Sequence, residues 1–514
     1  MFEILNGTFP VLSLLIALPA LAGVLVLAVK PLRIAGRWIA LSVSTLEIVL
    51  ALSAAFMIDW SAKATYQLAE TYTWIPQLGI SWALGVTQLS LAMILLAVAL
   101  VPIVLLAAWN EDAENAREGK AGKYAALILI LEAFMVLIFS ARDVAVFYFA
   151  FEAMLIPLYF MIGNFGRNNA KAAAVKFLLY SLAGGLVMLV GVITLYVYAD
   201  RQAGTFLIEN LAQLQLPAAV EMGVFVTFFI AFAIKAPMVP VHTWLPDTAA
   251  AARPGTSVLL VGVLDKIGTY GMIALCLPLF PHASVEAATV IIIFALISVI
   301  YGALAAIGQK DIMRLVSFTS VSHFGFMVLG IYIGSTVALT GAMFYMVAHG
   351  VSIAAMFLIS GFLSDRGHTQ EISAYRGMQR VTPVLAGTWL VSGLASVALP
   401  GLSGFVPEYL VLIGTYKVSP AAAAVAVFGV VLAALYLLMP YQRMFTGPVP
   451  ADKDKYTDLN LREKVVVAPL LVAMAVLGIW AAPLVNALNP VSDDSVEFFK
   501  SGMITVTETE RNAK

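Results

Sequence analysis

Apolar runs long enough to cross about 30 Å of hydrocarbon recur along this chain, and several carry an acid, a lysine or a histidine at their centre. Fourteen such runs lie near 11–29, 34–58, 82–108, 124–141, 143–163, 171–198, 221–246, 256–280, 285–306, 312–331, 336–363, 382–416, 421–441 and 463–488. A bilayer cannot satisfy bare backbone groups, and the runs show no alternating strand pattern, so each is read as a helix. The expected fold is therefore all-α and integral to the membrane, with about 14 transmembrane helices. Composition agrees: 61% of the 514 residues are hydrophobic, 11% are charged and the mean hydropathy is +0.95, far from a soluble chain. The first run lacks a basic leader and a clear small-residue cleavage site, and is read as a retained helix.

Placing Lys30, Arg33 and Arg37 in a cytoplasmic loop puts 19 lysines and arginines on that side and 7 on the other. Lys176, Lys235 and Lys266 fall inside spans, which accounts for all 29. This is the positive-inside pattern, and an even span number then puts both termini on the outer face of a bacterial plasma membrane. Loops 60–81 and 442–462 are too short for a soluble catalytic domain. A net charge of −1 without a basic soluble patch gives no role for nucleic acid. The single cysteine, Cys276, excludes an intrachain disulfide and a cysteine-ligated zinc or iron–sulfur centre. No dinucleotide fingerprint, phosphate loop or nucleophile elbow occurs. Any chemistry must therefore lie within the membrane.

Depth singles out the candidates. Glu132, Glu152, Lys235, Lys266, His323 and His349 all fall near the centres of their runs, where an acid or lysine costs about 3 kcal/mol on insertion scales. One such residue alone is often a satisfied packing group, but random placement would scatter charges toward the interfaces. A shared midplane row of groups that can exchange protons reads as a proton relay. Burial disfavours a lysine's ammonium, a neighbouring carboxylate restores it, and histidine gains or loses a proton near neutrality.

Two spans are interrupted beside such groups. Pro237, Pro240 and Pro246 follow Lys235 in the seventh, and Pro400-Gly-Leu-Ser-Gly-Phe-Val-Pro407 precedes Glu408 in the twelfth. Each proline removes a backbone donor and crowds the preceding turn. Paired interruptions five spans apart are the mark of inverted-repeat transporters. The expected organisation is a three-helix segment (1–110), a five-helix repeat (124–280), an inverted second repeat (285–441), a final helix (463–488) and a tail (489–514).

The strings Phe151-Glu-Ala-Met-Leu-Ile-Pro157, Lys235-Ala-Pro-Met-Val-Pro-Val-His-Thr-Trp-Leu-Pro-Asp247, Lys266-Ile-Gly-Thr-Tyr-Gly271 and Lys310-Asp-Ile-Met-Arg-Leu-Val-Ser317, with Ser322-His323, carry a resemblance. Together they resemble the antiporter-like membrane subunits of proton-pumping NADH:quinone oxidoreductase, respiratory complex I, over nearly the whole chain. The superfamily also includes Mrp-type cation/proton antiporters and membrane hydrogenases. Within it, the chain lacks the long lateral helix of the longest type, and Glu408 replaces the lysine usual in the L- and N-types, so it resembles the M-type. The resemblance implies proton translocation coupled to quinone reduction elsewhere in the complex, with no cofactor in this chain. NADH, FMN, iron–sulfur clusters and quinone are expected in partner subunits, and homologous L- and N-type subunits are expected as neighbours.

Carried over position by position, the resemblance makes Glu152 the partner of Lys235, Lys266 the central lysine, His323 and His349 connecting groups, and Glu408 the terminal site toward the outside. Glu132, Asp265 and His242 are secondary candidates. Asp265 stands where relatives often have an apolar residue; it need not pair with its neighbour Lys266 but can supply a local counter-charge. His242 can cap freed backbone as well as carry protons, and Lys176 can snorkel. Relatives often have a loop rich in histidine and acid where this chain has Thr248-Ala-Ala-Ala-Ala-Arg-Pro-Gly255. Two alternative functions are an Mrp-type cation/proton antiporter subunit and a scaffold subunit that conducts nothing.

Overall fold

A computed structural model describes residues 9–512 apart from 64, 112–118, 200–203, 450–453 and 455, with side chains described as far as 502. Of the basic residues counted above, Arg117, Arg201, Lys453, Lys455 and Lys514 lie outside the described residues, as does the side chain of Arg511. Among the described residues, twelve helices are long and apolar enough to span a membrane. In chain order they are α1 (Val11–Ala28), α2 (Lys30–Met57), α3 (Gln88–Ala107), α4 (Lys120–Ser140), α5 (Val144–Phe165), α6 (Ala170–Tyr198), α7a (Ala218–Lys235), α8 (Pro254–Leu279), α9 (Pro281–Ile307), α10 (Ile312–Tyr332), α11 (Thr336–Gly367) and α13 (Pro420–Phe445). The expected twelfth span is two helices of 14 residues each, α12a (Pro383–Ser396) and α12b (Phe405–Val418). The last span, α14 (Leu461–Ile479), passes the same test only together with the helix it bends into, which makes thirteen. The chain is a multi-pass membrane protein.

Three boundaries differ from the sequence reading, each for a local reason. Residues 82–86 belong to a hairpin of β1 (Gln67–Ile75) and β2 (Ile80–Val86), because Ser81-Trp-Ala-Leu-Gly-Val86 is apolar enough to prolong a hydropathy run yet pairs as a strand. The Glu70 carboxylate of β1 accepts the backbone N–H groups of Leu12 and Ser13 at 2.9 and 3.2 Å. It thereby satisfies donors left open at the start of α1. The seventh span leaves its first helix at Lys235 and resumes as a short helix, α7b (Trp244–Ala251). Finally, α14 stops at Ile479 rather than near 488, and α15 (Ala482–Asn512) turns away by 70°. Its Asn489, Ser492 and Phe499 meet Thr340, Thr336 and Gly334 at the α10–α11 junction. α14 crosses the hydrocarbon within its 19 residues, at about 1.5 Å each, and Asp493, Asp494, Glu497 and Lys500 of α15 lie beyond it.

Burial is greatest along the central helices. α8, α10 and α11 are between 94% and 100% buried within the chain over their most apolar windows, whereas α2 is 28% buried. Those three interior helices hold Asp265, Lys266, His323 and His349.

Candidate functional site

Lys235 is the last residue of α7a. Its Nζ makes no hydrogen bond and sits 5.5 Å from the ring centre of Phe151 and 5.3 Å from that of Phe177, so aromatic faces provide its immediate environment. Two acids act on it through charge, Asp265 of α8 and Glu152 of α5. Glu152 keeps its place because the facing residue on α6 is Gly185, where a Cβ would lie 1.4 Å from Oε1. The approach of α8 to α7a depends likewise on Gly268, whose missing Cβ would sit 2.4 Å from the carbonyl oxygen of Phe232.

The break after Lys235 is closed by side chains other than the one considered in the sequence. Trp244 Nε1 donates to the Ile234 carbonyl at 3.0 Å, and the Val239 N–H donates to Ser298 Oγ at 3.0 Å. His242 does not cap the break: both ring nitrogens lack a hydrogen-bond partner, and the ring packs edge-on against Tyr301 at 5.0 Å.

On α8, Asp265 and Lys266 lie between two π-helical stretches, Leu260–Leu264 and Met272–Cys276. A π-turn widens the helix by one residue and is frequent at functional sites. Here the Val261 carbonyl accepts a hydrogen bond from Lys266 Nζ at 2.8 Å. The other contact of that nitrogen is His349 Nδ1 on α11 at 3.1 Å. Both Asp265 carboxylate oxygens are buried without a hydrogen-bond partner. The acid lies close enough to Lys235 and Lys266 for a charge on any one of the three to be felt by the others.

From His349 the row continues without a gap in packing. The His349 and His323 rings meet edge to face at 5.0 Å, and His323 Nε2 lies 2.8 Å from Tyr436 Oη on α13. Tyr345, on α11, stands 5.7 Å from His323 between ring centres and donates its hydroxyl to Glu408 Oε2 at 3.0 Å. Glu408 is in the first turn of α12b, where the helix N-terminus favours negative charge. The site thus gathers Glu152, Lys235, Asp265, Lys266, His349, His323 and Glu408.

Two predicted residues stand apart. His242 lies in the break, and the acid acting on Glu132 is Glu47 of α2, not a member of the row. Tyr345 and Tyr436 are the residues that the sequence reading missed. A tyrosine in an apolar run costs little and leaves no depth signal, although both fall within spans whose neighbours were already singled out.

Toward the face that carries Lys30, Arg167, Lys310 and Arg366, a cavity of about 1310 Å³ opens between α6, α7b and α10. Lys176 reaches this cavity, with its Nζ 2.5 Å from Asp247 Oδ2, and Arg314 pairs with the other oxygen of the same carboxylate. Arg253, from the altered loop, is bonded to the Phe165 carbonyl at 2.8 Å and paired with Glu111 at 3.2 Å.

A family profile described as "NADH:quinone oxidoreductase/Mrp antiporter, TM" matches residues 141–433. The chain is 42% identical over 520 aligned positions to NADH-quinone oxidoreductase subunit M of Mycobacterium tuberculosis, covering 95% of this chain and 94% of that one. It is 37% identical to the subunit of the same name from Pseudomonas aeruginosa, over 93% and 95%. Among solved structures, a chain of respiratory complex I from Thermus thermophilus superposes with a TM-score of 0.86 at 30% identity, covering 95% of this chain and 99% of that one. A chain of the Mrp complex from Dietzia superposes with a TM-score of 0.83 at 22% identity over 95% and 98%, a likeness of fold.

Proposed function

This chain belongs to the NADH:quinone oxidoreductase/Mrp antiporter membrane family, as an M-type antiporter-like subunit of the complex I membrane arm, and from that premise we propose that it moves protons along its midplane row. The relay runs from Glu152 and Lys235, past Asp265, to Lys266, His349 and His323, and on through Tyr436 and Tyr345 to Glu408. The observation that carries it is the unbroken sequence of contacts from Lys266 to His349, His323 and Tyr436, with spacings of 3.1, 5.0 and 2.8 Å.

The chemistry needs only proton affinity that changes with the positions of neighbouring charges. When Glu152 approaches Lys235, the pair favours the ammonium; when they separate, burial favours the neutral amine and releases a proton. Asp265 holds a compensating charge between the two lysines, so a proton lost at Lys235 makes one at Lys266 easier to keep. His349 accepts from Lys266 through Nδ1, which requires the Nε2–H tautomer, and the tyrosine hydroxyls can donate and accept in turn. Glu408 receives the proton beside the interrupted twelfth span, which opens to the outer face. In this reading the five-helix units over 124–280 and 285–441 are inverted repeats in which Lys235 and Glu408 correspond.

Redox chemistry belongs to partner subunits that hold NADH, FMN, iron–sulfur clusters and quinone, and homologous L- and N-type subunits flank this one. The complex sits in the bacterial plasma membrane with both termini of this chain outside. In inverted membrane vesicles, Lys235→Ala and Glu152→Ala are each expected to abolish or sharply lower NADH-driven proton uptake while the complex still assembles, since either change leaves a buried partner uncompensated. Wild-type pumping in Lys235→Ala would overturn the relay and favour a scaffold. Sodium or potassium transport without a redox partner would favour an Mrp-type antiporter.

A further inference from the structure

The buried stripe of α2 is Gly36, Ala40, Ser44, Glu47, Ala51 and Ala54: small residues with one glutamate among them. Small residues let helices approach closely. A Cβ on Gly36 would lie 2.7 Å from the Cα of Gly122 on α4, and a Cβ on Gly122 would lie 1.9 Å from the carbonyl oxygen of Arg33. Both helices leave the same basic face, so they run parallel from this contact. Glu47 is eleven residues beyond Gly36 and Glu132 ten beyond Gly122. At about 1.5 Å per residue the two acids stand level, near the middle of the hydrocarbon.

Both glutamates are 0% exposed, and all four carboxylate oxygens are buried without a hydrogen-bond partner. Among the described residues, no cation is paired with either carboxylate. α1 and α3, which pack beside the pair, carry no titratable side chain. The basic residues of α2 and α4, namely Lys30, Arg33, Arg37, Lys120 and Lys123, are at their starting ends. α5 brings Tyr148, Glu152 and Tyr159 toward α4, and α8 brings Lys266 and Tyr270, yet Glu47 is the group that acts on Glu132 through charge. Two carboxylates cannot both ionise side by side in such a place.

We propose that Glu47 and Glu132 form a two-carboxyl proton-binding site between α2 and α4, a store outside the lysine–histidine row. It rests on the relay reading for its role in transport, but not for its existence. The only bond made or broken is the O–H of the bound proton, exchanged between carboxyls and handed on toward Glu152 of α5. A metal cation is the less suitable occupant, because the carbonyl groups of these continuous helices are already engaged and four carboxylate oxygens alone make a poor shell for it.

The test uses the whole complex. The infrared spectrum of the purified wild type is expected to show a protonated-carboxyl C=O band that shifts in Glu47→Gln and in Glu132→Gln, where the remaining carboxyl keeps the proton, and that is lost in the double variant. In vesicles, each glutamine variant is expected to slow proton uptake by about tenfold, less than the ~100-fold typical for losing a lone acid–base group, because one carboxyl remains. The double variant, left with no carboxyl at the site, should be slowed by more than the two single variants together, as for neighbours that can stand in for one another. A spectrum unchanged by both glutamine variants overturns the site, and wild-type uptake in both overturns its role in transport. The infrared arm is read on the resting complex, so it decides on the pair even if Lys235→Ala shows the relay itself to be wrong. A band that vanishes only on adding sodium would also overturn it, in favour of a cation site.

Discussion

Lys266 Nζ meets His349 Nδ1 at 3.1 Å across the α8–α11 interface, with both side chains fully enclosed. The contact joins a lysine whose charge depends on its neighbours to a ring with a nitrogen free to take up a proton, and it does so where water is excluded.

Replacing His349 by glutamine keeps a polar side chain but removes the protonation site. Proton uptake in vesicles should fall by about 100-fold, with the complex assembled and its NADH oxidation by an artificial acceptor intact. Uptake at the wild-type rate would mean that Lys266 discharges by another route.

A methyl group at Gly185 should act on Glu152 without touching its chemistry. The added Cβ would fall 1.4 Å from Oε1, so the carboxyl must swing away from Lys235, at an overpacking cost of about 1–3 kcal/mol. Gly185→Ala is expected to pump as poorly as Glu152→Ala. Gly184→Ala, whose Cβ meets the end of the Ile234 side chain at 3.0 Å, should be much milder. Equal pumping by the two alanine variants would show that the position of Glu152 does not matter.

Glu408→Gln is nearly isosteric and unable to release a proton, so it should cripple pumping. Glu408→Lys should retain part of it, because the L- and N-types use lysine there. Tyr345→Phe removes the hydrogen bond to this acid, worth about 1.5–3 kcal/mol if the acid is charged, and should slow uptake less than Glu408→Gln does. Full activity in Glu408→Gln would mean that the break in the twelfth span is a packing feature only.

Topology offers an independent check. A reporter that works only in the cytoplasm, fused after α15, is expected to be silent, whereas one placed in the loop after Phe445 should be active. The opposite pattern would reverse the assigned orientation and with it the direction of the relay.

The row was legible because charge at the centre of an apolar run is costly enough to stand out in a single sequence. Lys235, Lys266, His323 and His349 were found in that way, and the structure brings Lys266, His349 and His323 into consecutive contact. Applied to 34–58, the same depth argument points to Glu47, which the sequence reading passed over. Tyr345 and Tyr436 gave no such signal, since a phenol is tolerated among aliphatic neighbours. The π-turns around Lys266 were equally hidden, because hydropathy does not distinguish one helical register from another. The bend before α15 could be inferred from the acids at 493 and 494, but the apolar stretch through Leu488 masked where the turn begins.

The interruptions in the seventh and twelfth spans have a mechanical consequence. An unbroken helix such as α10 or α11 behaves as a rod, so twisting one end rotates the other. α7a and α7b are two short rods joined by a coupling held at Trp244 and Ser298, and α12a and α12b are joined by backbone turns within residues 397–404. Torque applied to α7b from the basic surface is therefore absorbed at the joint instead of being transmitted along α7a. Each surface can shift its own half of a span while the other half stays seated, and the compliant points of the scaffold coincide with Lys235 and Glu408.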